Sequence, residues 1–475
     1  MNPMKTFENT RLKQGTVWSL IGILLLIGTI SIISCQDFLN TKAPSKQLPS
    51  TEIFTNDANA TAAMVGLYVK VMENYNSVFN GQLTLWAGLS ADELLNTTGN
   101  PQLEEFYGNS VNPANDQLKQ YVWSTLYNYI YQSNAIIEGL TRSAEVTRSL
   151  ASQLEGEARV IRAFSHYYLT NLFGDVPSVM TTDYRLNSSM NRNPVNDVYK
   201  GIVSDLIIAQ TLLGDSYITQ GRIRPNKAVA TALLARVYLH LGDFSNAEIE
   251  ATKIIGNPVF VLQTDLTKTF LANSPEAIWQ LIPVTTSMNT AEGNRFAFTS
   301  GIPLNADLSP DLLAAFEIGD KRRTDWINQY TASGKLYSVP FKYKIRTSTT
   351  LTEYYTALRL SEQYLIRSEA RAKQNKLPQA IADIDVIRQR AGLALIQMTN
   401  PSISQANLLL AVEHERQVEL FCEWGHRWLD LKRTGRVDVI MQTSKPGKWK
   451  SSSALYPVPL TEILSNSNLS QNPGY

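Results

Sequence analysis

Cysteine is almost missing from this chain: Cys35 and Cys422 are the only two in 475 residues, so no disulfide framework can substitute for a packed core. Histidine is nearly as scarce. His166, His240, His414 and His426 show no metal-ligand spacing, and His414, between Glu413 and Glu415, has no second histidine three or four residues on. Missing too are G-x-S-x-G, H-E-x-x-H, a Walker loop and G-x-G-x-x-G, which removes nucleophile-elbow hydrolases, zinc proteases and nucleotide- or dinucleotide-binding enzymes. The expectation is a protein with no catalytic activity, no cofactor and no metal. One enzyme class survives, because the two carboxylates of a glycoside hydrolase can come from anywhere in a chain. Charge is thin as well: 18% of residues are charged, the formal net charge is +1, and no basic block favours nucleic acid as a ligand. Against these absences, 44% hydrophobic residues describe a folded globular chain.

The N-terminus reads as an address. Lys5, Arg11 and Lys13 precede an uncharged run, residues 14–36, that is apolar at its centre and includes Ile32-Ile33-Ser34-Cys35 near its end. A membrane-spanning anchor competes for this run, which is nearly long enough to cross a bilayer. A small residue immediately before a cysteine, where the apolar run stops, favours a lipoprotein signal peptide over residues 1–34 with Cys35 acylated. Acyl chains then hold the protein to a membrane, each buried CH₂ contributing roughly 0.8 kcal/mol. Cys422 is left without a partner. Residues 35–50, polar with Pro44 and Pro49, read as a lipidated tether.

From residue 51 to 475 the pattern predicts a single, mostly α domain built of about four tetratricopeptide-like helical hairpins in a curved scaffold. The paired stretches are 57–74 with 121–141, 154–173 with 196–214, the hairpin 226–256 and the hairpin 358–391. In 226–256 the stripe Val229, Leu233, Val237 and Leu241 faces a second stripe, Ala247, Ala251, Ile254 and Ile255, across a Gly242-Asp243 turn. The helix through 154–173 is expected to cap at Gly174 and to be barred from continuing by Pro177.

Two long inserts interrupt the pattern, at about 75–120 and 257–350. The first has no sustained period and reads as a structureless connection; the second carries short β-like runs at 277–282 and 337–345. Both contain aromatics beside amides. A sugar ring offers an apolar C–H face to stack and hydroxyls to hydrogen-bond, so Trp86, Trp326 and Tyr330 are the expected stacking residues, with Asn96 and Tyr107 as hydroxyl partners. Trp326 and Tyr330, one helical turn apart, are expected to share a face. The plainer reading is that such aromatics pin their loops to the core.

Several blocks of text are specific. Gly156-Glu157-Ala158-Arg159, Arg162-Ala163-Phe164 and Leu172-Phe173-Gly174-Asp175-Val176-Pro177 resemble the signature helix of the SusD/RagB family of outer-membrane nutrient-binding lipoproteins. In the region 405–475, Glu415-Arg416-Gln417-Val418-Glu419-Leu420, Gly425-His426-Arg427-Trp428-Leu429-Asp430-Leu431-Lys432-Arg433 and the terminal Asn472-Pro473-Gly474-Tyr475 resemble the same family. The resemblance implies a SusD-like fold and a lipid-anchored protein of the outer membrane, facing the cell exterior. Such a protein captures an oligosaccharide or polysaccharide and hands it to a SusC-like TonB-dependent transporter. A non-glycan nutrient such as a peptide, or a cryptic glycoside hydrolase, is the alternative. The row Glu415, Glu419 and Glu423, with Arg416 and Arg427 in reach, suits an ion-pair network rather than acid/base work.

Overall fold

Helices follow the predicted stripes closely. In the computed structural model, which describes residues 53–303 and 306–475, α1 (Asp57–Glu73) buries Ala60, Met64, Leu67 and Val71, and the Asn56 side chain caps it by accepting from the Asn59 amide. The signal-peptide, Cys35 and tether readings lie outside the described residues. Next come α2 (Ser124–Arg142) and α3 (Arg148–Phe173), the latter buried around most of its C-terminal half. Gly174 ends α3 at φ +76°, a conformation that suits glycine, and Pro177 follows. Then come α4 (Val195–Leu212), α5 (Lys227–Leu241), α6 (Phe244–Ile255), α7 (Leu360–Lys373) and α8 (Leu377–Ala391). Gly242 turns α5 into α6 in the left-handed region, and Asp243 caps α6.

Each helix of this series packs on the next, and the order holds even from α6 to α7, which are separated in sequence by the second insert. The α5–α6–α7 contact is made of Ala235, Leu239, Ala247, Ala251, Ile366 and Ala370. Alanines let the backbones approach closely, and each fully buried leucine contributes roughly 1.5–3 kcal/mol. A stack of hairpins that bury their faces only against neighbours is what the periodicity required. Helix α9 (Gln405–Glu419) lies on α7 and α8, and α10 (His426–Arg433) follows it.

The first insert differs from its expectation. Residues 75–120 are not structureless: they hold helical turns at Val78–Gln82, Leu83–Ser90 and Pro101–Tyr107, and Leu118–Trp123 leads into α2. Every residue of Leu83–Ser90 is buried, so it has no solvent face and shows no amphipathic period. The strands are short: β1 (Leu94–Asn96), β2 (Ala277–Leu281), β3 (Ala306–Leu308), β4 (Ile327–Ala332), β5 (Lys335–Pro340) and β6 (Tyr355–Arg359). They pair antiparallel as β1–β3, β2–β6 and β4–β5.

Beneath the second insert lies a charged hub. Arg322, fully buried, reaches Asp320 at 2.8 Å, Glu415 at 2.6 Å and Glu419 at 3.1 Å. Arg359 joins Glu276, Glu419 and Glu423, and Arg390 bridges Glu276 and Glu419. Burial alone would push Glu419 toward neutrality, but Arg390, Arg359 and Arg322 override it and hold its carboxyl well below the usual range. The glutamate row is therefore an ion-pair network, but with different partners: Arg416 binds Asp430 and Arg427 binds Asp92.

Candidate functional site

The inserts meet at the short strands. Asn96 at the end of β1 lies opposite Ala306 of β3, and the Asp307 carboxylate of β3 accepts the Ser338 amide of β5 at 2.7 Å. Thr97 adds a hydroxyl bond to the Pro303 carbonyl at 3.0 Å. The β4–β5 hairpin turns at Ser333 and Gly334, both with positive φ, which suits the tight turn its strand twist requires. Sequence-distant segments thus share one edge.

Three of the five expected residues lie on it. The Asn96 amide donates to Glu104 at 3.0 Å; Glu104 pairs with Lys448 at 3.3 Å; and the Lys448 ammonium lies 4.6 Å from the centre of the Tyr107 ring. Tyr107 and Asn96 are half-buried, so each keeps an accessible face. Tyr330 stands in β4 opposite Tyr337 of β5, with ring centres 5.9 Å apart. Partial burial raises the Tyr330 phenol above its ordinary value, with Asp307 adding to the effect, so it stays neutral; its hydroxyl oxygen is buried and what Tyr330 presents is ring.

The two tryptophans do not belong there. Trp86 is 1% exposed and stacks on Phe106 at 5.6 Å, so it fills the core under the first insert and offers no face to a ligand. Trp326 is fully buried, donates its indole N–H to the Leu266 carbonyl at 3.0 Å, and forms a wall of the charged hub with the Lys342 ammonium 4.8 Å from its ring centre. Nor do Trp326 and Tyr330 share a helical face, because that helix ends at Asp325 and Tyr330 is in a strand. Both tryptophans take the plainer reading, that of core anchors.

Sequence reasoning passed over Glu104, Lys448 and Tyr337 as members of this edge. Tyr337 was within reach of a hairpin argument: Ser333-Gly334 between two runs of strand residues places residue 337 opposite 330. Lys448 carried no signal, being more than 300 residues from Glu104 in the chain. Among the described residues no group of three His, Cys, Asp or Glu side chains could hold a metal ion, and no helix is long and apolar enough to cross a membrane.

A sequential helical array that displays a polar and aromatic edge built from its inserts defines a repeat-scaffold protein whose inserts form the recognition surface. Residues 37–239 match the family described as SusD-like_3, starch-binding associating with outer membrane, and residues 319–475 match SusD_RagB, the SusD family. The chain belongs to the SusD/RagB family. It is 25% identical to SusD-like protein P2 of Formosa agariphila, over 95% of this chain and 99% of that protein. A SusD superfamily protein of Bacteroides vulgatus shares the fold with a TM-score of 0.76 at 19% identity, over 89% of this chain and 100% of that one. A structure described as a laminarin binding SusD-like protein does so with a TM-score of 0.73 at 22% identity, over 89% and 100%.

Proposed function

We propose that this protein is a non-catalytic, lipid-anchored binder on the outer face of the outer membrane that captures an oligosaccharide or polysaccharide at the insert edge and passes it to a SusC-like TonB-dependent transporter. The observation that carries the reading is the edge itself: the half-buried Tyr330, backed by the buried Tyr337, with Asn96 and Tyr107 across the strand junction, combines ring faces with amide groups on a surface fixed by the scaffold. A pyranose stacks its C–H face on such rings while its hydroxyls take the polar groups. The family description and the laminarin-binding neighbour support a glycan as the ligand class.

Affinity gels and calorimetry with laminarin, soluble starch, xylan and mannan test this. At least one glycan is expected to bind, and Tyr330→Ala is expected to weaken that binding about 2- to 10-fold, the size of one aromatic contact, with an unchanged melting temperature. Failure to bind any of the four, or release of new reducing ends on incubation, overturns the reading. Cys35→Ala is expected to leave a folded protein that no longer partitions with membranes. Retention of the variant in the pellet after a carbonate wash would mean that an apolar segment does the anchoring.

A further inference from the structure

A second groove lies on a different part of the molecule. It has a volume of about 440 Å³, within the range of small-molecule sites, roughly 300–1,000 Å³, and it is walled by α2, by residues 177–188 and by the C-terminal segment around Leu460–Ser465. None of the insert-edge residues lines it.

Its lining includes four aromatic rings. Trp123 and Tyr127 form one wall, their ring centres 5.0 Å apart, with Tyr131 one turn further along α2. Opposite stands Tyr184. Tyr131 is 51% exposed and Tyr184 76%, an unusual outlay of aromatic surface to water, and the two belong to the same concavity. Leu186 and Leu464, also exposed, stand outside the lining, so the groove's own exposed apolar surface is largely tyrosine, amphipathic by construction.

The segment that presents Tyr184 is held rigidly. Glu138 of α2 accepts the Thr182 amide at 2.8 Å, the Thr182 hydroxyl at 2.7 Å and the Thr181 hydroxyl at 2.9 Å. The Asn134 amide donates to the Val179 and Thr181 carbonyls. From the other side, Asn466 and Asn468 donate to the Met190 and Ser189 carbonyls, tying the segment to the C-terminal wall. An exposed ring on a backbone pinned from both sides is preorganised for contact rather than loosely displayed.

The polar part of the lining selects among ligands. Ser188, Ser465 and Asn466 supply hydroxyl and amide groups, and Glu462 supplies a carboxylate that no lysine or arginine among the described residues pairs with. Among the described residues no cation lines the groove, and Glu462 does, so the lining itself does not favour an anionic ligand. Rings, hydroxyls, amides and one free acceptor suit a neutral sugar, whose hydroxyls donate to the carboxylate while its C–H face lies on a tyrosine.

We infer that this groove is a second carbohydrate subsite, for a neutral glycan segment, separate from the insert edge and engaging another part of the same polymer or a second oligosaccharide. The inference rests on the glycan reading of the insert edge. Two sites on one rigid scaffold raise the affinity for a polymer long enough to span them above that for a short oligosaccharide, by making the second contact intramolecular.

The test uses the full mature chain, the four glycans named above, and short oligosaccharides cut from whichever one binds. Tyr131 and Tyr184 are exposed, so Tyr131→Ala/Tyr184→Ala is expected to melt with the wild type. The double variant should bind the short oligosaccharide with a stoichiometry of about one where the wild type shows about two, and should lose polymer affinity about 2- to 10-fold or more. Tyr330→Ala in the same assays reads the insert edge independently. If the double variant matches the wild type in stoichiometry and polymer affinity while Tyr330→Ala is impaired, the second subsite is overturned and the first reading stands. If the wild type binds none of the glycans, both fall. Unchanged glycan binding with loss of a membrane-protein partner in a pull-down makes the groove a docking face and equally overturns the inference.

Discussion

Where α6 meets α5 and α7, the contact is made by alanines, leucine and isoleucine; where α9 meets the second insert and the β6 strand that follows it, it is made by Arg322, Arg359, Glu415 and Glu419, just as dry but ionised. The array has buried ion pairs too, but in smaller groups, as in Arg236 with Glu362 or Asp205 between Arg159 and Arg162. In the hub Glu276, Glu415, Glu419 and Glu423 are each shared between two or more cations, and Asp320 is held by Arg322. An apolar face accepts any surface of the right shape, whereas a guanidinium has fixed bonding directions. The array is thus held by shape and the hub by direction, and the hub is the place where the irregular second insert has to be fixed to the regular stack.

Three experiments can break or sharpen that contrast. The largest effect is expected from Arg359→Met, which removes one cation from Glu276, Glu419 and Glu423 at once and leaves Arg322, Arg390 and Lys342 too few to balance the buried carboxylates. A loss of roughly 3–5 kcal/mol or failure to fold is expected, read by chemical denaturation, since an uncompensated buried charge is what destabilises. A loss below about 1 kcal/mol would mean the hub's charges are not mutually dependent. Next comes Leu233→Ala in α5, expected at about 2–4 kcal/mol from transfer and cavity terms, with the same loss at pH 5 and pH 8.

The third test is a pH dependence at the hub's margin. Burial first, and repulsion from Asp92 next, push the Glu93 carboxyl from its ordinary 4.5 up to about 8. In the unfolded chain it titrates near the ordinary value, so between the two the folded state holds the extra proton and stability falls as pH rises through that window. Glu93→Gln keeps a carbonyl to accept the Cys422 amide and removes the titration. The melting temperature of the wild type should therefore drop relative to Glu93→Gln as pH goes from 5 to 8. Parallel curves would show that Glu93 is ionised in the folded protein.

The array was legible because its helices are long enough for apolar positions to recur over three or more turns, even in α5, which is buried along most of its length. Periodicity placed α1, the α5–α6 hairpin and the α7–α8 hairpin to within a few residues, and Gly174, Gly242 and Asp243 act at the ends where their chemistry put them. Leu83–Ser90 escaped notice because its 8 residues are barely two turns, too short for a period to stand out, and all of them face inward. The same blindness misplaced Trp86 and Trp326, since local composition says that a segment is polar but not which of its aromatics faces inward. In the hub, spacing identified the glutamates and missed the cations, because Arg322 and Arg359 lie 60 to 97 residues away from the carboxylates of the row that they bind.

The packing of α6 directly on α7, with the second insert looped out between them, bears on what the scaffold can tolerate. To the array, the insert is a closed loop whose ends are already fixed side by side. The entropy of closing such a loop grows only with the logarithm of its length, so doubling it adds only about 0.6 kcal/mol. Chain length at this junction is therefore nearly free of thermodynamic constraint. The stack can carry a shorter, longer or wholly different recognition segment there, provided the new segment supplies partners for Glu415, Glu419 and Glu423.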